Sequence, residues 1–592
     1  MRLPFTIVHL TAFITFDRSA PFRQKAIAAV ASSTGGGPHP KDTSRSSNSN
    51  MTPPRPRRDL ERVVLVGKTP SEESDPSEEK LLDPPVAVPD PYGWLRDETR
   101  KNPEVLEHLK AENAYTESSL AHLEPLRTTL YEEMVNSMRE TDYTTPRPFK
   151  DFYYYSRTFK GKAYSQYCRA PRQHGQKIHP IQWDGSPDTP ILPDEDILLD
   201  VNELAKDKEY CDVASTEDSP SQNLLAYTVD YAGDEIYKLY VKNITTGDIV
   251  DHDEELEVDG SIVWGKDDDT LFYLKMDDAM RPFQVYRRKL GSGEPDELLY
   301  QEDDEMFWVG IGKSDDHRYI FIATESIETS EVYYLDLEDP TSEMKCVAKR
   351  RPKVLYNVEH QKGNWWIQSN VGGLPNLALW KCPATPNCED SWELVRNADG
   401  MPLFDGGHEP SLDEVSMFAN HVVISGRTGG LPRIWFASLD STGKEVTSFS
   451  MLEFPEKAFD VDQGSNYEYE TDRVAIAYDS LVTPTQILEV NLSDPSDRVV
   501  LKQKEVPGYE PSLYECERVH VTARDGKTAI PVSLVFRKDT IDNHRSSGKP
   551  VPLLLYGTLK SRVFQIDCVV LTLGVGGCFR LRGIWILRGS DV

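Results

Sequence analysis

The sequence predicts a seven-bladed β-propeller, with a helical segment ahead of it and the opening strands of an α/β domain behind it. Three observations carry this expectation. A two-strand pattern recurs seven times at similar spacing, leucines at helical spacing precede the first copy, and the pattern stops near Val506, where longer apolar strands begin.

The clearest copy of the repeat is Ser314 to Leu337. Asp315 and Asp316 make a turn into the run Tyr319-Ile320-Phe321-Ile322-Ala323, and a polar loop separates it from Val332-Tyr333-Tyr334-Leu335. Two alternating runs with a short polar connection form an antiparallel strand pair. Ahead of this copy the pattern occurs at Phe152–Ser156 with Tyr164–Arg169, Leu224–Val229 with Ile236–Lys242, and Leu271–Leu274 with Val285–Leu290. Behind it come Asn364–Gln368 with Asn376–Trp380, His421–Ser425 with Arg433–Phe436, and Arg473–Tyr478 with Gln486–Val490. The starts at 152, 224, 271, 319, 364, 421 and 473 are separated by 72, 47, 48, 45, 57 and 52 residues. A period of about 40–50 residues holding several strands is that of propeller blades. Sandwich strands recur every ~8–12 residues without this longer period. The first interval of 72 residues holds either a weak further pair or an insertion.

Taken in order, residues 1–58 form a disordered or targeting segment. Up to residue 50 it carries Arg2, Arg18, Arg23, Lys25, Lys41 and Arg45 against Asp17 and Asp42, with an apolar stretch at Pro4–Phe16 and a Ser/Gly/Pro-rich run. An Arg-rich, acid-poor start reads as an organelle transit peptide; an unprocessed tail, or translation beginning at Met51, remain open. Residues 59–144 form a helical extension. Asn102-Pro103-Glu104 is a helix start, because Asn caps, Pro tolerates the first turn and Glu favours the positive end of the dipole. Leu106, Leu109, Leu120, Leu123, Leu126, Leu130, Met134 and Met138 then mark an apolar face expected to pack as core.

The propeller spans 145–505. It holds no HExxH, Walker loop or dinucleotide fingerprint, so no cofactor is expected. Asp267-Asp268-Asp269 and Asp303-Asp304-Glu305 lack EF-hand spacing and are read as turns, not as metal ligands. Asn243-Ile244-Thr245 and Asn491-Leu492-Ser493 match a glycosylation pattern by composition alone. From Val506-Pro507-Gly508-Tyr509 the pattern changes. Glu517–Ala523 and Ile530–Arg537 alternate as strands around the turn Arg524-Asp525-Gly526-Lys527, and Pro552–Gly557 reads as a buried strand. Residues 506–557 therefore open an α/β domain.

Lys and Arg number 66 against 97 Asp and Glu, a net charge of −31. Such acidity disfavours nucleic acid and suits basic peptides, although a solvated acidic surface is the commoner explanation. No run of eighteen apolar residues occurs, so no membrane span is expected. The eight cysteines include no CxxC pair, which fits a reducing, cytoplasmic setting, with a mitochondrial or other organellar one as the alternative if residues 1–50 act as a transit peptide. Cys382 and Cys388 are close enough in sequence to bridge a small loop, although buried free thiols are the expectation.

Four stretches carry a resemblance: Asp90–Asp97 (DPYGWLRD), Glu112–Glu117 (ENAYTE), Phe152–Arg169 (FYYYSRTFKGKAYSQYCR), and Asp525–Lys538 with Leu553–Gly557 (LLLYG). Together they resemble the prolyl oligopeptidase family of serine peptidases, and within it the oligopeptidase B branch, over roughly 85–557. The resemblance implies a seven-bladed propeller joined to an α/β-hydrolase domain, with the helical extension of 59–144 packing on that domain. It also implies cleavage of short peptides at a Ser-His-Asp site, after Lys or Arg in this branch.

The chain departs from that pattern. A hydrolase nucleophile sits in a G-x-S-x-G elbow, followed by the acid and then the histidine. No such elbow is present; Gly312-Lys313-Ser314-Asp315-Asp316 comes nearest and lies inside a blade. Beyond Tyr556 the serines are Ser561 and Ser590, and the last histidine is His544. The family's second oxyanion Tyr position is Thr558. Residues 558–592 have five basic and two acidic residues after Lys560 is included, and read as an aberrant tail from a shifted frame, retained intron or incomplete gene model. The hydrolase domain is thus expected to be incomplete. No catalytic, cofactor or metal residue is assigned, and the chain is expected to be inactive as written. Short basic peptides are the expected partners, with the oligomeric state open. A propeller-based binding or regulatory protein that never had the site is the alternative.

Overall fold

The computed structural model describes residues 51–66, 84–97, 99–172, 180–338, 343–539, 541, 552–556 and 569–572. It divides into two compact units, with the boundary between Met138 and Arg139.

In the N-terminal unit, Val63–Val66 pairs antiparallel with Val86–Pro89, a strand pair that the helical reading of this segment did not include. The DPYGWLRD stretch holds this unit together locally. The Trp94 indole donates to the Arg57 carbonyl (2.7 Å), and Arg57 stacks over the same ring while pairing with Glu104 (2.9 Å). Gly93 is needed for close approach, since a Cβ there would lie 2.1 Å from the Asp90 carboxylate and 2.3 Å from Arg62 Nε. Asp97 accepts the backbone N–H groups of Lys101 and Asn102, and Asn102 caps the helix Pro103–Leu120 by accepting from Glu104. A second helix follows at Glu124–Asn136. The expected apolar face does not become core. Leu106, Leu109, Leu120, Leu123, Leu126, Leu130 and Met134 are all exposed, and Val105 is the buried residue of the first helix. Among the described residues of this unit, two helices and one strand pair supply too little surface to cover such a stripe.

In the second unit, seven antiparallel sheets follow one another along the chain, each the four strands of a propeller blade, with the first strand of blade one split into Asp142–Tyr143 and Arg147–Phe149. Each of the seven strand pairs of the expected repeat is the second and third strand of a blade. Tyr319–Glu325 pairs with Ser330–Asp336, for example, in a register that places Phe321 opposite Tyr334. The long first interval is an insertion: in blade one the third strand ends at Pro171 and the fourth begins at Asp196. Trp183 from this insertion donates to Thr189 O and sets its ring edge-on to Tyr143 and Phe159.

Sandwiching between neighbours explains why the second strands are apolar on both faces. Ile320 and Ile322 pack with Phe272, Leu274 and Val285 of blade three, whereas Tyr319 and Phe321 pack with Tyr356, Trp365 and Ile367 of blade five. Period-two alternation therefore separates two apolar faces here. Burying a residue such as Trp365, fully enclosed in this cluster, is worth several kcal/mol, and truncation to Ala costs about 3–5 kcal/mol. A buried polar network ties blades three and four: Arg350 bonds Glu302 (2.7 Å) and Glu331 (2.8 Å), and Glu302 also accepts from Thr324 and Tyr300.

The ring closes without exchange of a strand, because blade seven is built from 459–503 and blade one from 142–200. Polar side chains join these two blades. Lys502 reaches Asp142 (2.7 Å) and the Tyr143 carbonyl, Arg172 pairs with Glu468 (3.1 Å), and Glu468 also accepts the Lys150 N–H.

After the ring, Tyr514–Thr522 and Ala529–Arg537 pair around Asp525-Gly526, as expected; Gly526 has φ +71, and Asp525 accepts from Lys527 and Thr528. Pro552–Tyr556 continues this sheet, and Val569–Thr572 pairs antiparallel with it. Within the stretch read as an aberrant tail, Val569, Val570 and Leu571 therefore have a partner strand. Residues 1–50 and the rest of 558–592 lie outside the described residues, as does the side-chain burial expected for Pro552–Gly557.

Candidate functional site

The first strands of successive blades approach one another, Asp212–Asp218 to Ile262–Trp264 and on to Trp308–Lys313, and Tyr356–Gln361 to Ser411–Met417, so they surround the propeller axis. Their C-terminal ends bring charged groups from several blades to one end of the channel. Asp315 accepts the Met417 N–H (2.6 Å) and donates its own N–H to Glu359 (3.1 Å). Desolvation raises the Asp315 carboxyl to about 7, with Glu414 and Asp316 adding to the rise against the Met417 bond. Glu359 is pushed well up by burial and then by Asp315. The Glu217 carboxyl, at the end of the first strand of blade two, is raised to about 7 by desolvation while Lys313 opposes the shift. Lys313 is lowered to about 8 by desolvation, held up in part by Glu217. Crowded carboxylates short of water favour a cation brought among them.

Ser314, in the nearest likeness of a nucleophile elbow, is buried and serves the turn. Its hydroxyl donates to Asp316 (2.6 Å) and accepts the Tyr319 N–H (3.0 Å). Asp316 in turn accepts from His360 Nδ1 (2.6 Å), and His360 Nε2 accepts the Gly363 N–H (3.0 Å). Burial pushes the Asp316 carboxyl upward, but His360, Ser314 and the Arg318 N–H together hold it below its ordinary value. The connectivity is serine–aspartate–histidine. A catalytic triad needs the histidine in the middle with one nitrogen free to take the serine proton. Here that nitrogen is occupied, so the group is a link between blades four and five.

A second Ser–His contact was not legible in the sequence. His421 lies between Ser438 (3.3 Å from Nδ1) and Ser493 (3.4 Å from Nε2), bridging blades six and seven. Burial lowers its pKa, with Asp472 opposing. Both nitrogens face hydroxyls at long distance, which gives neither an activated nucleophile nor an oriented base. Among the described residues no three His, Cys, Asp or Glu side chains converge as metal ligands, and no helix is long and apolar enough to cross a membrane. The expected turns are present, with Asp267 accepting the Asp269 N–H and Asp304 that of Met306, while Asp268 reaches across to the Ser221 N–H of blade two. Asn243 accepts from the Thr245 N–H and Asn491 from the Ser493 N–H. His544, Thr558, Ser561 and Ser590 lie outside the described residues.

A ring of seven blades with a helical unit before it and a further β-sheet after it defines a propeller-bearing, multidomain class of protein. Residues 71–503 match the family model of the prolyl oligopeptidase N-terminal β-propeller domain, and the chain belongs to the prolyl oligopeptidase family. It is 33% identical to dipeptidyl aminopeptidase BI of Pseudoxanthomonas mexicana over 79% of this chain and 62% of that protein. It is 31% identical to protease 2 of Moraxella lacunata, over 79% of this chain and 63% of that one. Oligopeptidase B from Leishmania major superposes with a TM-score of 0.72 at 30% identity, over 83% of this chain and 66% of that chain. The Trypanosoma brucei oligopeptidase B, solved with covalently bound antipain, gives 0.71 at 30% identity, over 85% of this chain and 66% of that one. The chain thus spans slightly under two thirds of the length of these relatives.

Proposed function

We propose that this chain is the propeller-bearing part of a serine oligopeptidase acting on short peptides, with cleavage after Lys or Arg. The observation that carries the reading is the likeness to oligopeptidase B, at 30% identity over more than four fifths of the chain. The acidic end of the channel supports a basic substrate, because Glu217, Asp315 and Glu359 are all carboxyls that a cationic side chain would relieve. A net charge of −31 adds long-range attraction for such peptides.

In this reading the propeller admits and holds the peptide while the chemistry belongs to a Ser-His-Asp site on the hydrolase domain. The 592 residues contain no G-x-S-x-G elbow, and the two Ser–His groupings within the blades serve as links. A polypeptide of this sequence alone therefore binds basic peptides without cleaving them. These same observations favour a second reading, a peptide-binding or regulatory pseudoenzyme. Transcript sequence beyond codon 557 separates the two: a continuous frame with G-x-S-x-G and a later histidine supports the peptidase, and its absence from every transcript supports the pseudoenzyme. Titration with fluorescent Arg-rich and Glu-rich peptides tests the shared claim. Salt-sensitive binding of the basic peptide alone is expected; equal binding of both overturns it.

A further inference from the structure

Cys382 is the penultimate residue of the third strand of blade five, Ala378–Pro383, and Cys388 lies just past the turn that follows. Their sulfurs are 3.2 Å apart, with the Cys382 thiol donating to Cys388, and both residues are unbridged. The arrangement is held from several sides. The Cys388 N–H donates to Val347 O (2.9 Å), that of Asn387 to Cys346 O (3.0 Å), and that of Ala384 to Gly363 O (2.9 Å). The Trp365 indole donates to Thr385 O, and Asn387 adopts φ +52, which folds the chain back beneath the strand. The pair is buried within the cluster between blades four and five, yet Pro383, Thr385, Pro386 and Asn387 above it are exposed. One turn of chain separates the sulfurs from solvent.

We propose that Cys382 and Cys388 are a reversible dithiol–disulfide site, oxidised by hydrogen peroxide, that clamps the turn 383–387 onto the edge of blade five. The two thiols are asymmetric: the hydrogen bond from Cys382 lowers the Cys388 pKa, while it raises that of Cys382. Cys388 is thus the attacking thiolate. Its sulfur attacks peroxide, an S–O bond forms as the O–O bond breaks, and the departing hydroxide takes up a proton to leave as water. Cys382 then attacks the sulfenic sulfur, the S–S bond forms, the S–O bond breaks, and a second water leaves. Two thiols and one peroxide become one disulfide and two waters. The clamp falls where the blade is weakest, because its fourth strand is only the two residues Glu393–Leu394.

The test uses the full chain, reduced and then treated with hydrogen peroxide, denatured in N-ethylmaleimide, and digested without reductant for mass spectrometry. The expected product has Cys382 and Cys388 linked, two hydrogens lighter and free of maleimide, while Cys168 and Cys211 carry the label. Dithiothreitol restores labelling of both, and the oxidised protein melts at a higher temperature than the reduced one. In C382S, Cys388 stops at the sulfenic acid and is trapped by dimedone; in C388S, Cys382 is not. The wild-type measurement stands even if either variant fails to fold. Maleimide on both Cys382 and Cys388 after peroxide, or a disulfide from either to Cys346, overturns the proposal.

Discussion

Asp316 accepts the Nδ1–H of His360 at 2.6 Å, and this bond joins the inner turn of blade four to the first strand of blade five. It uses two members of a hydrolytic triad in a structural role. Ser314 binds the carboxylate from the other side, and the remaining imidazole nitrogen is held by Gly363.

Asp316→Asn should cost about 1–3 kcal/mol in urea unfolding at pH 7, since it weakens a nearly enclosed charge-assisted bond. The Asp316 pKa is held below its ordinary 3.8, so its stabilisation is present above that value and is lost as pH falls through the folded pKa. The difference between wild type and variant should therefore shrink at strongly acidic pH. A difference that stays constant from pH 7 down to pH 2 would contradict the assignment.

Glu359 has the opposite sign. Its pKa is raised well above the ordinary 4.5, so its contribution is fully present below 4.5 and is lost as pH rises through the folded value. Glu359→Gln keeps an acceptor for the Asp315 N–H and removes the charge. The variant should be as stable as wild type or more so at pH 8, and should lose that advantage at pH 5. Thermal melts across this range check it; a variant less stable at pH 8 than at pH 5, relative to wild type, refutes the sign.

The contact between blades seven and one should be the ring's most easily opened. The other neighbouring pairs of blades share apolar clusters, as Phe436 with Val474 and Ile476 shows, whereas this one is joined by Lys502–Asp142, Arg172–Glu468 and a single edge-on ring contact of Phe149 with Tyr467. Glu468→Ala leaves Arg172 without its carboxylate partner and frees the Lys150 N–H. Hydrogen exchange should rise in 147–158 and 459–480 and stay unchanged in 319–336. Uniform exchange across all blades would show that this contact holds no special place.

The blades were legible where both faces of a strand pack against neighbours. Tyr319-Ile320-Phe321-Ile322 feeds two cores, and such runs stand out. First and fourth strands were less visible, since Trp308–Lys313 carries two glycines and Glu393–Leu394 is only two residues long. The leucines of 106–134 read as core because spacing reports a face and not what covers it. The site groupings were hidden for a different reason. Asp316 and His360 are 44 residues apart, and His421 and Ser493 are 72 apart, so only the packing of neighbouring blades brings them together. The close approach of Cys382 and Cys388 was within reach of sequence spacing, because one short turn joins them.

The central claim is that these residues bind basic peptides without a working nucleophile. Labelling of the 592-residue protein with a fluorophosphonate probe, read alongside turnover of a fluorogenic peptide with Arg at the cleavage position, tests it most directly. Acyl transfer to serine needs a base about 3 Å from the hydroxyl and donors for the oxyanion, and loss of one triad member alone costs several orders of magnitude. The account predicts no labelled serine and no turnover above background. Stoichiometric labelling of one serine, with turnover abolished when that serine becomes alanine, would contradict it.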